Sequence, residues 1–213
     1  MKGKAGRGES GSMSRLVEDG DKIVFLGDSI TAARDGYVKL VESMMGALAP
    51  DMRVTCINAG VSGNKVGDLL ERIGEDAIAH DPDWITVSIG INDVWHGLNG
   101  TPIDIFKQLY KELVHRLAEQ TVARLALFTT TVIGEDLENE TNRRLIPYND
   151  FIRETAAHVG ALLVPMNEEF HKAISLRRRV SSDELYFTTD GVHMSPVGNC
   201  LMAVTLLRSW GFL

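Results

Sequence analysis

The sequence predicts a single three-layer α/β/α domain around a mainly parallel sheet of five strands. Five short apolar runs recur along the chain, segments with helical periodicity separate them, and 213 residues suit one such domain. Strands that alternate with helices of this length are typical of βαβ units with right-handed crossovers. The runs are nearly continuous in apolar residues, which indicates a sheet that is covered on both faces.

Each strand is predicted from one apolar run, and each helix from apolar residues that recur every three or four positions. The predicted strands are 22–27, 53–57, 84–89, 123–130 and 161–165. The predicted helices are 36–48, 66–79, 102–120, 142–159, 167–177 and 196–210. The last helix begins with Pro196, a residue that suits the first helical position.

The first 20 residues are polar, rich in Gly and Ser, and lack the apolar core of a signal peptide. We therefore expect a flexible leader or tag-like segment over 1–20 and one domain over 21–213. No stretch approaches the roughly 20 apolar residues of a membrane span. These features predict a cytoplasmic protein without a membrane partner.

The net charge of −7 argues against nucleic acid as a partner, because phosphate binding needs clustered Lys and Arg. The two cysteines, Cys56 and Cys200, are too few for a disulfide framework, and we expect both to be small buried apolar residues. The apolar C-terminal segment 206–213 is expected to pack into the core. The alternative is that it forms part of a homo-oligomer interface.

The sequence Gly27-Asp28-Ser29-Ile30 directly follows the first predicted strand. Ligands of open α/β sheets bind beyond the carboxyl ends of the strands, which is where Ser29 falls. A serine hydroxyl is a poor nucleophile and needs an adjacent base, and near the other end of the chain Asp190 and His193 supply an acid and a base. Either motif alone is also ordinary turn sequence. Together they predict a hydrolase triad in the chain order Ser29, Asp190, His193.

Two further loops follow the second and third predicted strands and offer hydrogen-bond donors for an oxyanion. The segment 58–64 contains two glycines, which permit unusual backbone angles, and the segment 89–93 contains the amide of Asn92. Turn residues and helix caps are the alternative interpretation of both loops. The residues alone leave the two interpretations open.

Four blocks of this sequence resemble those of the SGNH (GDSL) hydrolase superfamily, in the same order and at suitable separations. The blocks are Gly27–Ile30, Asn58–Asn64, Gly90–Trp95 and Asp190–His193. The resemblance extends over about residues 21–213 and implies a flavodoxin-like α/β/α sandwich with no cofactor. It is thus the family, and not the spacing alone, that implies a complete catalytic apparatus.

The resemblance also implies a role for each residue of the site. Ser29 would be the nucleophile, His193 the base and Asp190 the acid that orients it. The oxyanion hole would consist of the Ser29 N–H, the Gly63 N–H and the Asn92 amide. Gly63, rather than the glycine three positions earlier, matches the family pattern because it lies in the Ser-Gly-Asn step before a helix.

Within the superfamily, the sequence Gly-Ile-Asn-Asp-Val-Trp at 90–95 looks most like bacterial carbohydrate esterases of the acetyl-xylan esterase type. This likeness implies hydrolysis of small acyl esters, chiefly acetyl, on carbohydrates such as acetylated xylan fragments. Trp95 and His96 follow the Asn92 loop and are candidate substrate contacts, although an aromatic side chain there also serves packing. The segments 95–104 and 131–142 depart from the family pattern, which leaves the substrate open.

Two alternative functions are retained. One is a lysophospholipase or acyl-thioesterase that prefers longer acyl chains, but the sequence shows no apolar lid insertion for it. The other is a binding module without catalysis, which the complete set of site residues disfavours. No metal is expected, because no histidine pair has metal-ligand spacing, and no phosphate loop or dinucleotide fingerprint occurs.

Overall fold

The computed structural model describes residues 15–181 and 185–213, and its five strands form one parallel sheet. The strands are β1 (Lys22–Gly27), β2 (Thr55–Gly60), β3 (Trp84–Ser88), β4 (Arg124–Phe128) and β5 (Leu162–Val164). Their order in the sheet is β2-β1-β3-β4-β5, which is the flavodoxin-like order. The predicted fold class is confirmed.

Eight α-helices and two short 3-10 helices connect and cover the described strands. The α-helices are α1 (Ser29–Ala32), α2 (Tyr37–Leu48), α3 (Val66–Asp76), α4 (Ile91–Trp95), α5 (Ile103–Gln120), α6 (Glu140–Val159), α7 (Met166–Arg177) and α8 (Pro196–Ser209), and the 3-10 helices are Ile78–His80 and Gly97–Asn99. None of the helices in the described ranges is long and apolar enough to cross a membrane.

The helices form two layers. In one layer α3 packs against α5 and α5 against α6, and in the other α2 and α7 both pack against α8. The core between them is rich in aromatic residues: Phe25 and Trp84 of the sheet each meet Trp210 edge to face, with ring centroids 6.3 and 5.7 Å apart. Trp210 is fully buried, which confirms that the apolar C-terminal segment packs into the core.

The second strand differs from its prediction, because it ends at Gly60 and not at residue 57. Its register aligns Gly27 with Gly60, so both strands end at the same level of the sheet. A Cβ atom at Gly60 would lie 2.2 Å from the backbone nitrogen of Ala32, so only glycine allows this close approach. The loop predicted over 58–64 therefore begins at Val61.

The helices α1 and α4 also differ from expectation, since the segment 89–93 was predicted as a loop and no helix was predicted over 29–32. They contain only four and five residues, which is too short to display an apolar period. Both lie directly beyond the carboxyl ends of central strands, β1 and β3. Each therefore carries residues of the predicted site on regular backbone.

The segment 15–20 contacts the domain. The Leu16 N–H donates to the Trp210 carbonyl at 2.9 Å, and Val17 is buried in the core. The leader predicted over 1–20 otherwise lies outside the described residues. The expectation for Cys200 was wrong, because it lies on the exposed side of α8, whereas Cys56 is half-buried in the edge strand β2.

Candidate active site

Ser29 is the first residue of α1, immediately beyond β1. The preceding Asp28 caps this helix, because its Oδ1 accepts a hydrogen bond from the Ile30 N–H at 2.9 Å. Glycine is required at position 27, since a Cβ atom there would lie 2.8 Å from the backbone carbonyl oxygen of Ser88 on the neighbouring strand. The tight strand-to-helix connection leaves Ser29 half-buried, with its hydroxyl directed at the loop that carries His193.

His193 and Asp190 reach Ser29 from a loop directly before α8. The carboxylate of Asp190 folds back on its own loop, where Oδ1 accepts the N–H groups of Val192 at 3.0 Å and His193 at 2.8 Å. Its Oδ2 lies 2.7 Å from His193 Nδ1, and His193 Nε2 lies 3.0 Å from Ser29 Oγ. The carboxylate accepts the Nδ1 proton, so Nε2 presents its lone pair to the serine hydroxyl. The structure thus brings the three predicted residues together across 164 positions of the chain.

The carboxyl group of Asp190 is held in its ionised form. Partial burial acts to raise the pKa of Asp190, but hydrogen bonds from the His193 ring and from the backbone N–H groups of His193 and Val192 outweigh it and lower the pKa to about 2. The carboxylate is therefore ionised at neutral pH. An ionised acid orients the imidazole and stabilises the imidazolium when it forms.

A second carboxylate, Glu135, anchors the loop that carries the acid and the base. Glu135 is 5% exposed, and its Oε1 accepts the consecutive N–H groups of Tyr186, Phe187 and Thr188 at 2.7–2.8 Å. The Thr188 hydroxyl donates to the same oxygen at 3.0 Å. Sequence analysis missed this residue. The only signal was the first glutamate of the acidic stretch 135–140, beside Gly134 in a loop after an apolar strand, and such a stretch is also typical of ordinary surface turns.

Gly63 lies in a tight turn that begins where β2 ends. The Asn64 N–H donates to the Val61 carbonyl at 3.2 Å, and Gly63 has a φ of +82°, as at the third position of a type II turn. Glycine adopts this positive φ without strain. No acceptor in the described ranges takes the Gly63 N–H, so this donor is available to a ligand.

Asn92 lies in α4 and is almost fully buried, at 4% exposed. The helix starts after Gly90, which has a φ of +121° and would place a Cβ atom 3.1 Å from the Thr130 methyl group. The Asn92 side chain donates from Nδ2 to the Asn64 carbonyl at 3.0 Å. The two predicted oxyanion loops are therefore joined to each other by a hydrogen bond.

Trp95 and His96 lie at the C-terminal end of α4, the helix that carries Asn92. Both side chains are exposed at the end of α4, and 49% of Trp95 is accessible. In the part of the chain that the structure describes, no hydrogen bond joins either side chain to the triad. In residues 15–181 and 185–213, no group of three or more His, Cys, Asp or Glu is placed to hold a metal ion.

Comparison with known proteins gives consistent matches over nearly the whole chain. The model of the GDSL-like lipase/acylhydrolase family matches residues 25–200. An acetylxylan esterase of Geobacillus stearothermophilus is 29% identical over 92% of this chain and 96% of its own, and an arylesterase of Vibrio mimicus is 33% identical over 86% and 85%.

Solved structures agree with these matches. The crystal structure of the Geobacillus stearothermophilus acetylxylan esterase superposes with a TM-score of 0.82 at 29% identity, covering 92% of this chain and 96% of that one. An α/β hydrolase from the metagenome of Lake Arreo, Spain, superposes with a TM-score of 0.85 at 27% identity, covering 94% and 99%. With the family model matched across 176 of 213 residues (25–200 inclusive), this chain belongs to the GDSL-like lipase/acylhydrolase family.

Proposed function

We propose that this protein is a serine esterase that removes acetyl groups from acetylated carbohydrates. Membership of the acylhydrolase family and the two named esterase relatives make it a carboxylic ester hydrolase. One observation carries the proposed chemistry: the unbroken hydrogen-bonded path from Asp190 through His193 to Ser29, with contacts of 2.7 and 3.0 Å. This path supports catalysis over a role in binding alone.

In the first half-reaction, Ser29 Oγ attacks the ester carbonyl carbon while His193 Nε2 takes the hydroxyl proton. Asp190, which remains ionised, stabilises the imidazolium. The tetrahedral intermediate then collapses, the bond to the alcohol oxygen breaks, and Nε2 delivers the proton to that oxygen. The sugar hydroxyl leaves, and the acetyl group stays on Ser29.

In the second half-reaction, water attacks the acyl-enzyme and gives its proton to His193 Nε2. Collapse of this second intermediate breaks the bond between the carbonyl carbon and Ser29 Oγ, and the serine recovers the proton. The products are acetate and the free serine hydroxyl.

Three donors are proposed to hold the oxyanion in both intermediates: the N–H of Ser29, the N–H of Gly63 and Nδ2 of Asn92. Ser29 lies in the first turn of a helix, where N–H groups have no intrahelical acceptor. The Gly63 N–H is free for the same purpose, as described above. Asn92 Nδ2 carries two hydrogens, and the Asn64 carbonyl takes only one of them.

The proposed acetyl-carbohydrate specificity is supported by the relative from Geobacillus stearothermophilus, which covers almost the full length of both chains. Trp95 and His96 are the proposed sugar contacts. They lie on or directly after the helix that carries Asn92, and an exposed indole suits stacking on the apolar face of a sugar ring.

The test is a profile of turnover against acyl chain length on 4-nitrophenyl esters from acetate to decanoate, followed by acetylated xylo-oligosaccharides. Ser29→Ala is the blank, and Ser43→Ala, an exposed serine on α2, is the matched control. We expect a maximum at acetate that Ser29→Ala abolishes and Ser43→Ala retains, and release of acetate from the oligosaccharides. A maximum at eight or more carbons would instead identify a lipid esterase or thioesterase.

A further inference from the structure

Arg72 is an arginine of α3 whose guanidinium group lies between the ends of two strands and the turn that follows. Its side chain is only 17% exposed. It donates from Nη2 to the Gly27 carbonyl at 2.8 Å, from Nη1 to the Ala59 carbonyl at 2.9 Å, and from Nε to Asn64 Oδ1 at 2.7 Å. Asp76, one turn further along the helix, accepts from Nη1 at 2.5 Å and neutralises the charge. A planar group with fixed donors therefore joins the backbone of β1, the backbone of β2 and the side chain of Asn64 in the turn after β2.

Two of these acceptors belong to segments that carry the proposed site. Gly27 comes two residues before the nucleophile Ser29, and its carbonyl also accepts the Val61 N–H at 3.1 Å. Asn64 closes the turn that presents the Gly63 N–H. The guanidinium group thus links the end of the strand before Ser29 to the turn that contains Gly63.

The same hydrogen-bond network extends from Asn64 to Asn92, the other proposed oxyanion donor. The backbone carbonyl of Asn64 accepts one Nδ2 hydrogen of Asn92, so the position of Asn64 decides where the other hydrogen points. Arg72 holds the side chain of Asn64, and Asn64 holds the amide of Asn92. A path of two hydrogen bonds therefore leads from Arg72 to a group that touches the oxyanion.

We propose that Arg72 is the positioning residue of the oxyanion hole: it holds Gly63 and Asn92 in register with Ser29 and makes no contact with substrate itself. This inference rests on the proposed serine-esterase function. Because the donors act on charge that develops in the transition state, displacing them lowers kcat and leaves KM nearly unchanged. If Arg72 served only the packing of α3 against the sheet, its replacement would lower the melting temperature without a selective loss of kcat.

The first test is Arg72→Lys. The lysine ammonium keeps the charge for Asp76 but cannot span all three backbone and amide acceptors. Loss of one complete oxyanion donor costs on the order of 10²–10³ in rate, so we expect misplacement of two donors to lower kcat for 4-nitrophenyl acetate by at least about tenfold. KM should stay within about twofold. Arg116→Lys is the control, because Arg116 of α5 donates to the carbonyl of Leu70 on α3, the helix of Arg72, at 3.4 Å and, among the described residues, has no hydrogen bond to those of the site.

The second test is a double-mutant cycle with Asn92→Ala. If Arg72 acts through the amide of Asn92, the loss of kcat in the double variant is clearly smaller than the product of the two single losses. Fully multiplicative losses, or a folded Arg72→Lys variant with wild-type kcat, would overturn the proposal. Asn64→Ala provides the same test with the Arg72 guanidinium group left in place, and it should show the same kcat-specific loss and little further effect on top of Arg72→Lys.

A fluorophosphonate label separates this inference from the choice of substrate. Ser29 Oγ attacks the phosphorus, the P–F bond breaks, fluoride leaves, and His193 accepts the serine proton. The phosphonyl oxygen uses the same donors as the ester oxyanion, so labelling of Ser29 should slow in Arg72→Lys by a factor similar to the loss of kcat. If the wild-type protein is labelled but does not hydrolyse acetyl esters, the proposed substrate is refuted, and the two labelling rates still test Arg72. If the wild-type and Arg72→Lys proteins are labelled at equal rates, the role of Arg72 is refuted.

Discussion

Asp28 allows a quantitative test of the electrostatics behind the nucleophile. Its carboxyl group is fully buried next to Ser29, and burial raises its pKa from 3.8 to about 7. The Ile30 N–H acts in the opposite direction, the buried Asp93 carboxyl adds to the increase, and the nearby His193 partly offsets it. The perturbation is Asp28→Asn, which keeps an oxygen for the Ile30 N–H and removes the titration.

The sign follows from proton binding. Between about pH 4 and pH 7 the folded state keeps the Asp28 proton while the unfolded state loses it, so the free energy of unfolding falls as pH rises through this range. Above pH 8, a pKa shift of this size lowers the free energy of unfolding by about 4 kcal/mol relative to low pH, at about 1.4 kcal/mol per pKa unit. Between pH 5 and pH 8 the expected change is between about 2 and 3 kcal/mol. Asn at position 28 does not titrate, so the variant escapes this loss.

The assay is urea unfolding, followed by tryptophan fluorescence, for both proteins at pH 5 and pH 8. The effect of Asp28→Asn on the free energy of unfolding should be more favourable at pH 8 than at pH 5 by the 2 to 3 kcal/mol estimated above. Titrating groups that do not interact with Asp28 are common to both proteins and cancel in this difference. Asp51→Asn, which removes an exposed carboxylate, should show almost no such difference. Equal effects of Asp28→Asn at the two pH values would refute a carboxyl group that folds in its protonated form.

Three further predictions concern Asn92, Glu135 and Trp95. Asn92→Ala should lower kcat on the order of 10²–10³ with little change in KM, measured by steady-state kinetics, and an effect confined to KM would contradict an oxyanion role. Glu135→Ala leaves the backbone N–H groups of 186–188 without their acceptor. It should lower the free energy of unfolding by about 2 kcal/mol or more and also reduce kcat, whereas Glu138→Ala, at an exposed position of the same connection, should do neither. Trp95→Ala should raise KM for acetylated xylo-oligosaccharides and leave KM for 4-nitrophenyl acetate nearly unchanged, and equal changes for both substrates would contradict a sugar contact.

Much of the fold could be predicted because its signals are local. The first strand was predicted with its observed bounds, Lys22–Gly27, and the long helices began and ended within two or three residues of their predicted positions. Burial on both faces leaves an uninterrupted apolar run in a central strand. The edge strand β2 has a weaker pattern because it is half-exposed, and its predicted bounds were correspondingly wrong.

The candidate site divides in a similar way. Ser29, Asp190 and His193 could be named because each lies in a short motif at a predicted strand end or before a predicted helix, and the structure brings all three within hydrogen-bond distance. Arg72 and Glu135 carry no such motif. An arginine on an amphipathic helix and a glutamate in a loop are typical of solvated surfaces, and only their partners distinguish them.

The sequence by itself thus determined the order of the elements, the class of fold and the chemistry available at the strand ends, because periodicity and short motifs are properties of neighbouring residues. Tertiary structure alone decided that Gly27 aligns with Gly60, that one guanidinium group reaches two strands and a turn, and that Glu135 holds a backbone segment 51–53 positions away. These bonds join groups whose separation depends on how the helices pack on the sheet. Their strength comes from burial, which no single segment of the chain can create.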